Sequence, residues 1–149
     1  MSLVLLEDFK VEEHKVSGVS YSPLGAIDGV EQSSEIRNTP TGAVADVAAV
    51  SALCNDANIV GYDEPKASSK TYERLGEPTE AALCVLAEKL GGKSSESEVA
   101  TAQTIAAANV NSWRTDHPRQ ATLEFNRDRK SMSVLSSHWS NSNVGGNRL

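Results

Sequence analysis

The stretch GEPTEAALCVLAEKLGG, from Gly76 to Gly92, carries its own start and stop signals and constrains the fold more than any other part of the chain. Pro78 suits the first position of a helix, where its missing N–H would have no intrahelical partner. Gly91 and Gly92 supply the residue type that ends helices. Within this stretch, AEKLGGKS (Ala87 to Ser94) fits a relaxed phosphate-loop pattern with alanine in place of the first glycine. That chemistry requires a strand leading into a glycine loop whose N–H groups open a helix. Here the order is reversed, and the carbonyl end of a helix repels phosphate. The sequence reads as a glycine helix cap followed by a solvated Lys93.

Around this helix the pattern alternates between classes. LVLLEDFKVEE and HKVSGVSYS are short and rich in β-branched residues, and they predict a hairpin of two strands ending in a turn at Pro23 and Gly25. DGVEQSSEIRNTPTG has no apolar period and predicts a mobile loop over about residues 28–42. GAVADVAAVSALCND repeats small apolar residues at helical spacing and predicts a buried helix stopped by Asn55 and Asp56. TYERL reads as a short strand before Gly76. SSESEVATAQTIAAANVNSWRTDHP predicts a Ser-started helix that ends before Pro118 and packs on its predecessor. RQATLEFNR and SMSVLSSHW alternate as strands around a basic turn, and a second mobile loop is expected over about residues 136–147.

A chain of 149 residues suits one domain, spanning residues 1–149. No apolar run approaches the roughly 20 residues that cross a bilayer, so direct membrane contact is not expected. SLVLLEDF after Met1 lacks the basic start and small-residue cleavage site of a secretory signal. Cys54 and Cys84 both sit in segments that read as apolar helix faces, which predicts two buried, reduced thiols. A formal net charge of -6 excludes the broad basic surface that nucleic acid requires.

Against that acidity, LEFNRDRKSMSV (Leu123 to Val134) stands out, with three cations within four residues just after a phenylalanine. Strand alternation puts Leu123, Phe125 and Arg127 on one face, and the returning strand brings Met132 back near Phe125. A ring, a soft thioether and cations form a platform suited to a purine nucleotide, whose base stacks on aromatics and whose phosphates seek Arg or Lys. Spacing alone favours the plainer reading of a core phenylalanine and a solvated basic turn. Glu80 is equally two-sided. Near the third helical position it can cap N–H groups, or it can accept a hydrogen bond from an exocyclic amine and so read adenine. The three histidines, at 14, 117 and 138, have no partner at metal-ligand spacing, and no Gly-x-Ser-x-Gly elbow appears.

FNRDRKSMSV, CNDA (Cys54–Ala57), YERLGEPTEAAL (Tyr72–Leu83) and GVSYSPLG (Gly18–Gly25) together resemble the nucleotide-binding domain of P-type ATPases, in the family's order and over nearly the whole chain. The RDRKSMSV wording is most similar to the sarco/endoplasmic-reticulum type of calcium pump. The resemblance implies an α+β fold, an antiparallel sheet flanked by helices, truncated on its C-terminal side. It implies that Phe125 stacks on adenine, that Glu80 lies by the adenine edge, and that Arg127 and Lys130 approach the phosphates. Met132 would line the pocket, with Glu77 and Thr79 at its rim.

The family's Asp-Lys-Thr-Gly-Thr string, whose aspartate takes the γ-phosphate, is absent from these residues, as is its Lys-Gly-Ala motif. The expectation is therefore a stretch of a calcium-transporting ATPase that binds ATP, as Mg-ATP in the parent enzyme, without hydrolysing it. Its partners would be the phosphorylation and actuator domains of the same parent chain, on the cytosolic face of the endoplasmic or sarcoplasmic reticulum. The alternative is a non-enzymatic interaction module that docks an acidic partner on the basic hairpin, with Phe125 in the core.

Overall fold

The computed structural model describes residues 2–7, 10–18, 20–30, 42–63, 70–91 and 106–137. Leu3 and Leu5 alternate with Ser2 and Val4 along strand β1 (Ser2–Glu7), so that the two leucines are buried and Val4 is exposed. β1 pairs antiparallel with β2 (Lys10–Lys15), with Leu3 opposite His14 and Leu5 opposite Glu12. A hairpin therefore forms here, but not the expected one: the chain reverses between Glu7 and Lys10, inside the stretch read as a single strand, and the second expected strand contributes only its first residues, His14 and Lys15.

Beyond β2 the chain doubles back through Pro23 and Gly25. Val16 bridges Ile27, both buried, and the Ser17 hydroxyl accepts from Ala26 N–H at 2.8 Å. The two expected mobile loops fall largely outside the described residues. At their edges, Ile27 bridges Val30 and Ser136 ends the last strand.

Helix α1 (Ala43–Leu53) turns Ala45, Ala48, Ser51 and Ala52 inward and leaves Val50 exposed, so it is buried along one face only. Those small side chains allow close approach to α2 (Pro78–Leu90), which answers with Ala81, Cys84 and Ala87. Pro78 opens α2, and Gly91 closes it at φ 79°, in the left-handed region that glycine tolerates best. A helix thus runs into the glycine of the phosphate-loop look-alike, as its sequence context implied; Lys93 lies outside the described residues.

Helix α3 (Ala108–Asp116) ends before Pro118 and packs on α1 and α2. The expected Ser-started beginning lies outside the described residues. Its N-terminal N–H groups are met by another helix. The buried Glu88 carboxylate accepts from Asn109 N–H at 3.2 Å and Val110 N–H at 2.8 Å. Removal from water pushes the Glu88 pKa up to about 7, while those backbone hydrogen bonds pull the other way.

Strand β3 (Asn58–Asp63), which the sequence reading did not identify, pairs antiparallel with β4 (Lys70–Leu75), with Gly61 opposite Tyr72. β5 (Arg119–Asn126) and β6 (Ser131–Ser136) form the last hairpin. The fold is α+β. Among the described residues the strands make three separate antiparallel pairs rather than the single expected sheet. The core lies where the three helices meet the inner faces of β1 and β3, with Trp113, Ile59, Leu90 and Val110 its largest fully buried apolar side chains.

Candidate functional site

Residues 54–57, the CNDA stretch, join α1 to β3 and gather the rest of the molecule around themselves. A helix end leaves its last carbonyls without intrahelical donors. Here arginines supply them: Arg114 donates from Nε to Ala52 O at 3.1 Å, and from Nη2 to Asn55 O at 2.8 Å and Ala57 O at 3.0 Å. Arg119, the first residue of β5, donates from Nε to Leu53 O at 3.0 Å, from Nη2 to Asn55 O, and from Nη1 to the Asp56 carboxylate. The buried Asn55 side chain donates to Ser51 O at 3.0 Å and Glu80 O at 2.7 Å, and accepts from Ala57 N–H at 2.8 Å.

Two of the sequence-predicted site residues reach this stretch. Glu80 lies in the first turn of α2, and its Oε2 accepts from the Asp56 N–H at 3.1 Å. The expected capping of its own helix is thus replaced by capping of a loop 24 positions away. Met132 meets the same stretch from β6, where its carbonyl accepts from Cys54 Sγ at 3.6 Å. Glu77 and Thr79 are exposed at the start of α2; Glu77 occupies the N-cap position and makes no side-chain cap hydrogen bond.

Phe125, Arg127 and Lys130 lie on the β5–β6 hairpin. Phe125 is 61% exposed, so the reading that placed it in the core fails, and the interaction-module alternative loses that part of its basis. The register slips between Leu123, which faces Ser133, and Asn126, which faces Ser131. This bulge breaks the simple alternation that put Phe125 and Arg127 on one face. Arg127 instead opens the turn 127–130.

The turn is held by Asn126. Its side-chain oxygen accepts from Asp128 N–H at 2.8 Å and Arg129 N–H at 3.3 Å, and its carbonyl accepts from Lys130 N–H at 2.7 Å. Lys130 adopts φ 51°, among the described residues the one non-glycine in the left-handed region. Arg129 folds back, donating from Nη2 to Glu124 O at 2.8 Å. The hairpin thus presents an open phenyl face, followed by exposed Arg127 and Lys130, on a strand pair tied at its root by Arg119 and at Met132 by Cys54.

Both cysteines are free thiols. Cys84 is buried and donates to Ala57 O at 3.2 Å, and burial pushes its pKa up. Cys54 is only half-buried, which departs from the expectation of two buried thiols, because it lies just past the end of α1 rather than on its inner face.

Sequence reasoning missed Lys89. Only 2% exposed, it donates from Nζ to the Ser17 carbonyl and forms one wall of a cleft of about 460 Å³ with Val16, Tyr21, Pro78 and Val85. Desolvation lowers its pKa. A β-carbon on Gly18 would approach Nζ to 3.1 Å, which ties the glycine of GVSYSPLG to this lysine. Sequence offered no signal for Lys89, Arg114 or Arg119, since their partners lie 57–72 positions away.

Comparison with known proteins follows the same residues. The family described as P-type ATPase, cytoplasmic domain N, matches residues 43–148. An endoplasmic reticulum-type calcium-transporting ATPase of Arabidopsis thaliana is 36% identical over 133 residues, covering 86% of this chain and 13% of that protein. An endoplasmic reticulum calcium ATPase of Aspergillus fumigatus is 35% identical over 130 residues, covering 84% of this chain and 13% of its own length. The chain thus spans about an eighth of the curated relatives it matches.

Proposed function

This chain belongs to the P-type ATPase cytoplasmic N-domain family, and from that premise we propose that it binds the adenine nucleotide ATP and presents it to the phosphorylation domain of a cation pump. The observation that carries the proposal is the exposure of Phe125, a large apolar face left open immediately before a turn with two net positive charges. A stacked base covers such a face and gains roughly 1–3 kcal/mol. Arg127 and Lys130 follow at the end where a triphosphate would extend, offering charge-assisted hydrogen bonds. Glu80 accepts from the adenine amine, Met132 lines the base, and Glu77 and Thr79 form the rim.

In the parent enzyme the nucleotide arrives as Mg-ATP, the transported ion is calcium, and the partners are the phosphorylation and actuator domains on the cytosolic face of the endoplasmic or sarcoplasmic reticulum. The names of the relatives support the calcium and endoplasmic-reticulum parts of this proposal. Without the Asp-Lys-Thr-Gly-Thr string, this stretch alone releases no phosphate from ATP.

Titration with ATP while following backbone amide chemical shifts tests the reading. The expected result is a cluster of shifts at residues 77–80 and 125–132. Their absence at millimolar ATP, in a protein with a dispersed spectrum, would remove the proposal.

A further inference from the structure

Arg114 and Arg119 look like equivalent caps for the end of α1, and Arg114 is fully explained in that way: its hydrogen bonds go to the backbone carbonyls of Ala52, Asn55 and Ala57. Arg119 does something more. Besides Leu53 O and Asn55 O it takes the side chain of Asp56, the residue whose N–H donates to Glu80 Oε2. A chain of polar contacts therefore runs from the root of the hairpin, through Asp56, to the carboxylate at the start of α2.

We infer that Arg119 and Asp56 are positioning residues for recognition of the base: the Arg119 clamp fixes the Asp56 N–H, and that N–H holds the Glu80 carboxylate so that its second oxygen meets the exocyclic amine of adenine. The inference rests on the reading that puts Glu80 at the adenine edge. A glutamate side chain free to rotate loses entropy when it must point at a ligand, and an anchor that already holds one oxygen removes most of that cost. The anchored carboxylate also discriminates. An acceptor-only group attracts the amine of adenine and repels the carbonyl oxygen that guanine carries at the same position. Loosening the clamp therefore erodes the preference for ATP over GTP, while the phosphate contacts on the hairpin turn are untouched.

The test measures dissociation constants for ATP, GTP and adenosine on the whole chain, with melting curves for each variant. Asp56→Asn carries it, because that change weakens the Arg119 contact while keeping the Asp56 N–H and leaving the carbonyl caps of Leu53 and Asn55 in place. Arg119→Ala serves as the companion variant. The expected result is a fall of roughly fivefold in the ATP-to-GTP preference, the worth of one ordinary hydrogen bond, with the ATP-to-adenosine ratio unchanged. Combining Asp56→Asn with Glu80→Gln should lower the preference no further than Glu80→Gln alone, since both act through one carboxylate. A folded Asp56→Asn protein with undiminished preference, or a loss that simply adds to that of Glu80→Gln, overturns the inference while Glu80 keeps its role. A Glu80→Gln protein with unchanged preference overturns the reading of Glu80 and this inference with it.

Discussion

The helical body and the β5–β6 hairpin use the same kinds of residue to opposite ends. In the body, Trp113 is 1% exposed, and Ala48, Ala81 and Ala87 are sealed between helices. On the hairpin, Leu123, Phe125 and Leu135 are each about 60% exposed, and the fixed points are polar: the Asn126 turn, Arg119 at the root, the thiol at Met132. Burial makes the body a scaffold. The hairpin keeps its apolar surface in reserve, and whatever covers that surface gains the transfer free energy that folding did not use.

The contrast breaks most readily at Trp113. Trp113→Ala should cost ~3–5 kcal/mol of stability, as expected for a large side chain removed from a packed core, and urea unfolding measures it. Phe125→Ala should cost under about 1 kcal/mol in the same assay, as surface substitutions do. Equal losses would mean that the hairpin belongs to the core after all.

The body also carries a pH dependence, set by Glu88. Because the folded pKa of Glu88 is about 7, against an ordinary value of 4.5, the folded chain holds a proton between those values that the unfolded chain has released. Stability therefore falls as pH rises through about 4.5 to 7 and levels off above, by on the order of 3 kcal/mol at ~1.4 kcal/mol per unit. Glu88→Gln should flatten that slope in pH-resolved melting, whereas hairpin variants should leave it intact.

On the hairpin the expected losses are in binding. Phe125→Ala should weaken ATP by roughly 1–3 kcal/mol while Phe125→Trp keeps most of the affinity, because stacking needs a ring more than a particular ring. Calorimetric titration of both variants checks this, and equal losses would remove the stack. Smaller still, Arg127→Ala or Lys130→Ala should cost ATP about 1–2 kcal/mol and adenosine almost nothing, with the gap narrowing as salt rises. Arg129→Ala should cost little, since that guanidinium is engaged with Glu124 O. If all three weaken ATP alike, the turn acts as a diffuse field.

The two regions also differ in how far the sequence discloses them. α2 and the β5–β6 pair were legible because their signals are local: a proline at the first helical position, a glycine just past the last, and a basic turn between alternating runs. CNDA was visible as a stop after α1, and family likeness made it a landmark. Its role as the junction of α1, α2, α3 and the hairpin was not, because Arg114 and Arg119 meet it across 57–66 positions, and a guanidinium bound to a carbonyl leaves no periodic trace. Alternation also misled in two places. It carried the first strand through its own turn, and it carried Phe125's face past a bulge that adds a residue to the count. Pattern reading assumes an unbroken ladder, and the proposed site lies where the ladder breaks.

Lys130 shows what such a place costs. Its backbone sits at φ 51°, where a side chain is disfavoured by roughly 1 kcal/mol. Glycine would relax the turn and make the isolated chain harder to unfold. It would also delete one of the cations proposed to meet the nucleotide phosphates. Selection for thermal resistance alone would therefore drive this position toward glycine, and a chain improved by that criterion would be the poorer receptor. Under the proposed function, robustness and recognition are competing objectives settled at position 130 by a single residue.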